Sequence, residues 1–599
     1  MIGIEDKEPF LNLFRPPKSM KMRYAVGTTF SLDLETLIQL AFNTWDGAEL
    51  GDWFKPNQEG NSSVNLPRVM GAIQGFSTHS VVFLQNARIK VPKAFDEFRE
   101  GARKRLVELS ATSLVGRPEP EHHGSFHPKC WFLKYEDSEK IRRPVWRLIV
   151  ASKNLTSGKQ WDIQSTLHGF ERAKHGVKVE GLKSFLQYLA AKKPGVTMTK
   201  AQFKILGQAI EEAGKVYFEL PRGIQKAELL WGPRDVSKFR VPLDRHERSI
   251  VISPFLKKKQ VSRLKTDDVL ITSEKDLHEI PKGKFLKNGK KLFVFDAGGY
   301  DLHAKVYLCK LKNSRGSEIY LGSANFTNPA MGEDARNEEV MLKMTSNKDE
   351  CLSFEKKFMF EGGDKTKIQN WLSEPNLEKF ETGEKTSEIE EALESIQRAI
   401  SRGEFQCKRQ GPSWGLVWSG EMFSLPKGLK LTAKLLGDAE NLDLQSMLKG
   451  KRIALTSMRP GVFLIVRLHM GSNALEFSNL VNVVGRGRSV YDECVEELLK
   501  ESDMASVLSE VLGVKINSIY NQAPREMKVG HKSNRVTQVR LEDYLEAMLL
   551  ADYSDGERVL AVQKVIEEAV REGREGSRGL EKLWAEIKKS LNIKTPMAQ

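Results

Sequence analysis

Residues 301–327 read DLHAKVYLCKLKNSRGSEIYLGSANFT, and the order of residue types in this stretch decides the fold. His303 and Lys305 are two apart, so in an extended chain both side chains share one face. An apolar run follows, then a polar turn, then a second apolar run that ends on Ser323-Ala324-Asn325-Phe326-Thr327. The same order occurs upstream, with His127-Pro128-Lys129 leading to Ser152-Lys153-Asn154-Leu155-Thr156. From His127 to Asn154 is 27 residues and from His303 to Asn325 is 22, the difference of a longer hairpin loop. A lone His-x-Lys triplet is expected about once by chance at this His and Lys content, so it carries nothing by itself. Both triplets, each followed by S-x-N-x-T at the end of an apolar run, point to one unit built twice.

A third element completes each copy. Asn337-Glu338-Glu339-Val340 follows the second, and Trp161-Asp162-Ile163-Gln164 follows the first. Cleavage of a phosphodiester needs a nucleophile, a proton donor for the leaving oxygen, and cations on the non-bridging oxygens. Two imidazoles can fill the first two roles. Lys129 and Lys305, with the amides of Asn154 and Asn325, can hold developing charge. Such a set replaces what a metal ion otherwise supplies, so no metal and no cofactor are expected.

His-x-Lys, then Gly-Ser-x-Asn, then a later carboxylate resembles the phospholipase D superfamily, duplicated in one chain over roughly Tyr24 to Met344. The second copy follows that pattern closely. The first departs from it, with Ala151 in place of Gly and Gln164 in place of Glu. Gln in one half and Glu in the other is similar to the tyrosyl-DNA phosphodiesterase branch. The resemblance implies two α/β/α sandwich halves forming one active site, with His127, Lys129, Asn154 and Gln164 from one and His303, Lys305, Asn325 and Glu339 from the other. It also implies that the nucleophile comes from the first half.

If Glu339 orients His303, that histidine is the better general acid, because a carboxylate on the far ring nitrogen favours imidazolium. A neutral Gln164 would leave His127 unprotonated, as a nucleophile must be. Asp162 is an alternative to Gln164, and it would remove this asymmetry. Glu338 is an alternative to Glu339.

The net charge of +14, from 93 Lys+Arg against 79 Asp+Glu, suits a polyanionic partner, with DNA the leading candidate. No apolar run is long enough for a bilayer, and the opening MIGIEDKEPF lacks the pattern of a signal peptide, so a cytoplasmic protein without membrane contact is expected. Five scattered cysteines exclude a CxxC zinc ribbon and a disulfide framework; Cys130 and Cys309 read as small buried residues. No GxxxxGK[ST] sequence occurs, so a nucleotide-driven motor would be a separate helicase or ATPase partner.

The expected organisation is a first half at 1–175, a helical insert or linker at 176–225, a second half at 226–345, a helical linker at 346–403, and a C-terminal α+β domain at 404–599, β-rich and then helical. GRGR at Gly485 is a short turn with two arginines and no phosphate-cradling loop, whereas KSMKMR at Lys18 and LKKKQ at Leu256 are secondary candidates for phosphate contact and the His122-His123 pair for substrate contact. Each is more often plain surface. A phospholipase or phosphatidyltransferase, and a nucleic-acid-binding scaffold, are the competing functions.

Overall fold

The computed structural model describes residues 9–45, 66–92, 101–120, 124–137, 141–172, 175–193, 195–232, 246–280, 290–361, 367–375, 388–411, 413–438, 440–456, 459–501, 556–574 and 577–593, with a few isolated positions besides. His122 and His123, and most of the LEDYLEAMLLADY stretch, lie outside the described residues.

Two sheets carry the duplicated motifs. In the first, β1 (Met20–Thr29), β2 (Ser80–Gln85), β3 (Leu114–Arg117), β4 (Cys130–Asp137), β5 (Val145–Ala151) and β6 (Gln164–Phe170) stand in the order β6-β5-β4-β1-β2-β3, with Tyr217–Phe218 added beyond β6. In the second, β7 (His246–Ile252), β8 (Val269–Thr272), β9 (Lys291–Phe295), β10 (Val306–Leu311), β11 (Ser317–Gly322) and β12 (Val340–Ser346) stand in the order β12-β11-β10-β7-β8-β9. Pairing senses match as well: β1 is parallel to β2 and antiparallel to β4, as β7 is to β8 and β10. The fold is α/β, built twice.

Period-two alternation explains how the sheets are buried. On β7, Ile250 and Ile252 join a core shared with Tyr24, Phe132, Leu148 and Val150 of the first sheet, while Val251 joins a separate core with Leu270, Val294 and Tyr307. One continuous apolar layer therefore belongs to both halves. The segment expected as a linker contributes to it. Its helices Leu182–Ala190 and Lys200–Ala213 bury Leu182, Phe185, Leu206 and Ala209 there. Glu212 of the second helix accepts bonds from Tyr24 (2.9 Å), Lys134 (2.8 Å) and Trp146 (2.8 Å). Residues 176–225 are thus packed against both halves, Glu180 bridging Glu228 and Tyr188 lying against Trp231 beside the second sheet.

The C-terminal region is divided, where the sequence alone suggests one domain. One compact unit comprises Met1–Glu49, Phe76–Pro92 and Ala111–Val484; the other comprises Leu50–Gly75, Lys93–Ser110 and Gly485–Gln599. The β-rich part, with strands Glu404–Gln410, Ser413–Ser419, Lys430–Leu435, Phe463–Met470 and Asn473–Val484, belongs to the first unit. There Ser478 pairs with Ile89, and helix Glu388–Ser401 packs Leu393, Ile396 and Ile400 onto the same core. In the second unit, helices Ala102–Ser110 and Val490–Glu501 are joined by Arg105–Glu493 at 3.2 Å. The GRGR arginines are engaged there too, Arg486 by Glu493 and Arg488 by Glu496. Among the described residues no helix is long and apolar enough to cross a membrane. All five cysteines are buried and free.

Gly27 is fixed by close approach. It faces Trp131 across the β1–β4 ladder, and a Cβ there would sit 2.3 Å from the indole ring. Gly27→Ala is expected to lower the free energy of unfolding by about 1–3 kcal/mol, the usual range for overpacking. Urea denaturation checks this, and an unchanged midpoint would contradict it.

Candidate functional site

Every motif residue lies at one end of its sheet. His127 and Lys129 immediately precede β4, and His303 and Lys305 immediately precede β10. Asn154 comes just after the end of β5, and Asn325 just after the end of β11. The antiparallel ladder brings these together: Ala151 N–H donates to Lys129 O (3.0 Å), and Gly322 N–H donates to Lys305 O (3.3 Å). Hydroxyls at the ends of β1 and β7 brace the asparagine loops. Leu155 N–H donates to Thr29 Oγ1 and Phe326 N–H to Ser253 Oγ, each at 3.0 Å.

The two halves are joined backbone to backbone at the same place. Phe126 bridges Glu338 in parallel sense, with His127 N–H donating to Glu338 O at 2.8 Å. Asp301–Leu302 pairs in parallel with Gln160–Trp161, and His303 N–H donates to Trp161 O at 2.9 Å. Each histidine is therefore aligned with the residue preceding a carboxylate of the opposite half. His127 Nδ1 meets Glu339 Oε2 at 2.8 Å, and His303 Nδ1 meets Asp162 Oδ1 at 2.6 Å.

This geometry corrects two assignments. Glu339 serves His127 and not His303, and Asp162 takes the place expected for Gln164. The serines give the physical reason. Ser152 Oγ donates to Asp162 Oδ1 (2.8 Å) and accepts from Ile163 N–H (2.9 Å); Ser323 Oγ donates to Glu339 Oε2 and accepts from Val340 N–H (2.9 Å). Asp162-Ile163 and Glu339-Val340 are thus the matching pairs. Gln164 lies two residues further on, opposite Ala151 in the β5–β6 ladder. Glu338 points elsewhere, accepting from Lys193 (2.9 Å) and lying 3.8 Å from Arg117. Ser152 and Ser323 stand out in the sequence as part of S-x-N-x-T, but that pattern does not reveal their task of holding the carboxylates.

Burial sets the electrostatics. Lys129 and Lys305 are 1% and 0% exposed. Burial, reinforced by the other lysine's charge, holds Lys129 well below its ordinary value; burial brings Lys305 down to about 7 against the pull of Asp162 and Glu339. Burial would raise Asp162, but its bond to His303 and the charges of His303, Lys153 and Lys305 bring it down to about 2. Glu339 is likewise lowered, burial being outweighed by His127, Lys129 and Ser323. Burial depresses both histidines to about 4 despite their carboxylates, and each feels the lysines of both halves.

These shifts define the protonation pattern. Both carboxylates are ionised and can only accept, so each Nδ1 carries a proton. A neutral ring then leaves each Nε2 bare. Lys129 Nζ sits 3.0 Å from His127 Nε2, and also donates to His127 O at 3.1 Å. Lys305 donates to His303 O at 2.5 Å. The amide oxygens of Asn154 and Asn325 are buried with no hydrogen-bond donor among the described residues.

The chain resembles solved structures only loosely. No family model matches it, and no curated protein matches it in sequence. Yeast tyrosyl-DNA phosphodiesterase superposes with a TM-score of 0.32 at 12% identity, covering 57% of this chain and 87% of that one. Phosphatidylserine synthase of Haemophilus influenzae Rd KW20 superposes with 0.32 at 10% identity, covering 65% and 88%. Likenesses this loose decide nothing about function.

Both rings are expected to titrate near 4 in NMR spectra of the folded protein, against about 6.5 for a free histidine. A folded value below the unfolded one means that the unfolded chain binds more protons between the two. Stability should therefore fall as pH drops from about 6.5 towards 4. Ring midpoints near 6.5 would contradict the burial account.

Proposed function

We propose that this protein is a metal-independent phosphodiesterase of phospholipase D type, acting on nucleic acid through a phosphohistidine. The observation that carries the reading is the pair of buried imidazoles, each held through Nδ1 by a carboxylate of the opposite half, beside two buried lysines.

His127 Nε2 attacks phosphorus in line with the departing oxygen, forming a P–N bond as the P–O bond breaks. Lys129 leaves Nε2 for a non-bridging oxygen, and Lys305 and the two asparagine amides hold the others. His303, which takes up a proton as the anionic substrate arrives, delivers it to the leaving oxygen. It then removes a proton from the water that cleaves the P–N bond. The Gln/Glu asymmetry does not support these roles, since both rings have a carboxylate. The support for His127 as nucleophile is the Lys129 contact on its bare Nε2, a cation already stationed where the phosphate would arrive. The excess of positive charge favours a polyanionic substrate.

Purified protein should cleave bis(p-nitrophenyl) phosphate and labelled single-stranded DNA in EDTA. His127→Ala and His303→Ala should each lower the rate by at least about a thousandfold, as loss of a nucleophile or general acid does. Inactivation by the chelator, or full activity in either variant, would overturn the reading.

The pH dependence of kcat/KM reports the free enzyme. It should peak near 4, where His127 becomes neutral while His303 can still hold its proton, and fall above that as His303 loses it, more steeply beyond about 7 as Lys305 loses the charge that draws the phosphate in. A profile flat between about pH 7 and 9 would exclude Lys305 as the binding cation.

A further inference from the structure

The run LKKKQ, plain surface by its sequence, lies at the rim of the site. Thr29 and Ser253 close the equivalent strands β1 and β7, and both brace an asparagine loop. The residues just beyond them occupy equivalent ground. In the first half this is Phe30, whose ring stands edge-on to His127 with centroids 5.0 Å apart and with Arg88 4.9 Å over its face. In the second half it is Pro254-Phe255-Leu256-Lys257-Lys258-Lys259. This segment is pinned beside the Asn325 loop: Leu256 bridges Phe326, and Lys257 N–H donates to Phe326 O at 3.2 Å.

Phe255 is 52% exposed, and the three lysines after Leu256 are exposed as well. Lys257 is engaged by Glu279 and Lys259 by Glu333, whereas Lys258 has no ion pair among the described residues. A single exposed Phe is ordinary. An exposed Phe bonded through its neighbours to the Asn325 loop and followed by a cation run is a stacking platform with a phosphate clamp.

We propose that Phe255 and Lys258 form a subsite for single-stranded nucleic acid, a base stacking on Phe255 while Lys258 holds a phosphate next to the scissile one. The inference rests on the phosphodiesterase reading for its substrate class. A nucleic-acid strand has base π-faces and repeating phosphates, which together use both residues; a lipid headgroup uses only the cation.

The test is fluorescence anisotropy with a fluorescein-labelled single-stranded dT12, beside turnover of bis(p-nitrophenyl) phosphate. Phe255→Ala should weaken dT12 binding roughly tenfold to a hundredfold, in line with the loss of one stacked base, and Phe255→Trp should restore it. Lys258→Ala should reduce the slope of log affinity against log salt by about 0.7. Small-diester turnover should stay unchanged in all three variants, which also reports that they fold. Equal dT12 binding by wild type and Phe255→Ala overturns the proposal. So does Phe255-dependent binding to phosphatidylserine vesicles with none to dT12. If wild type turns over no diester but dT12 binding still depends on Phe255, the subsite stands and the catalytic reading falls.

Discussion

The structure depends on a backbone exchange between its two halves. The strand entering each His-x-Lys pair runs parallel to the segment entering the other half's carboxylate, at Phe126–Glu338 and at Leu302–Trp161. That register delivers Glu339 to His127 and Asp162 to His303. Neither half holds both members of a pair. The duplicated fold therefore makes one composite site, where independent halves would make two incomplete ones.

The exchange also explains how so much charge is buried. An isolated ammonium out of water is costly, and the cost falls only when opposite charge lies near and hydrogen bonds are satisfied. Lys129 and Lys305 are near-inaccessible, and each feels both Asp162 and Glu339. Two carboxylates face two lysines whose charge burial weakens, while the histidines remain neutral. In the proposed function, a phosphodiester would add one negative charge and draw protons onto the groups that burial had depressed. The shared apolar layer between the sheets keeps this cluster away from water and holds the register rigid.

The local part of this arrangement was legible in the sequence. His-x-Lys and S-x-N-x-T are short-range patterns, and the antiparallel ladder that joins them needs only neighbouring strands. The carboxylate partners were not legible, because they depend on pairing between residues more than a hundred positions apart. The one usable signal was the acid before a β-branched residue, Asp162-Ile163 beside Glu339-Val340, which outranks the position of Gln164 once the serine bonds are known. The unit boundaries were hidden for a similar reason. Leu50–Gly75 and Lys93–Ser110 leave the first half to join the C-terminal helices, while the β-rich 404–484 segment stays with the motifs.

The central claim is that each histidine takes its carboxylate from the other half. Imidazole nitrogen NMR tests it most directly, with Glu339→Gln and Asp162→Asn compared ring by ring. Glu339→Gln is expected to move the Nδ1 resonance of His127 and leave that of His303 near its wild-type position, and Asp162→Asn to do the reverse. A response of His303 to Glu339→Gln, with His127 unmoved, would contradict the exchange and restore separate halves.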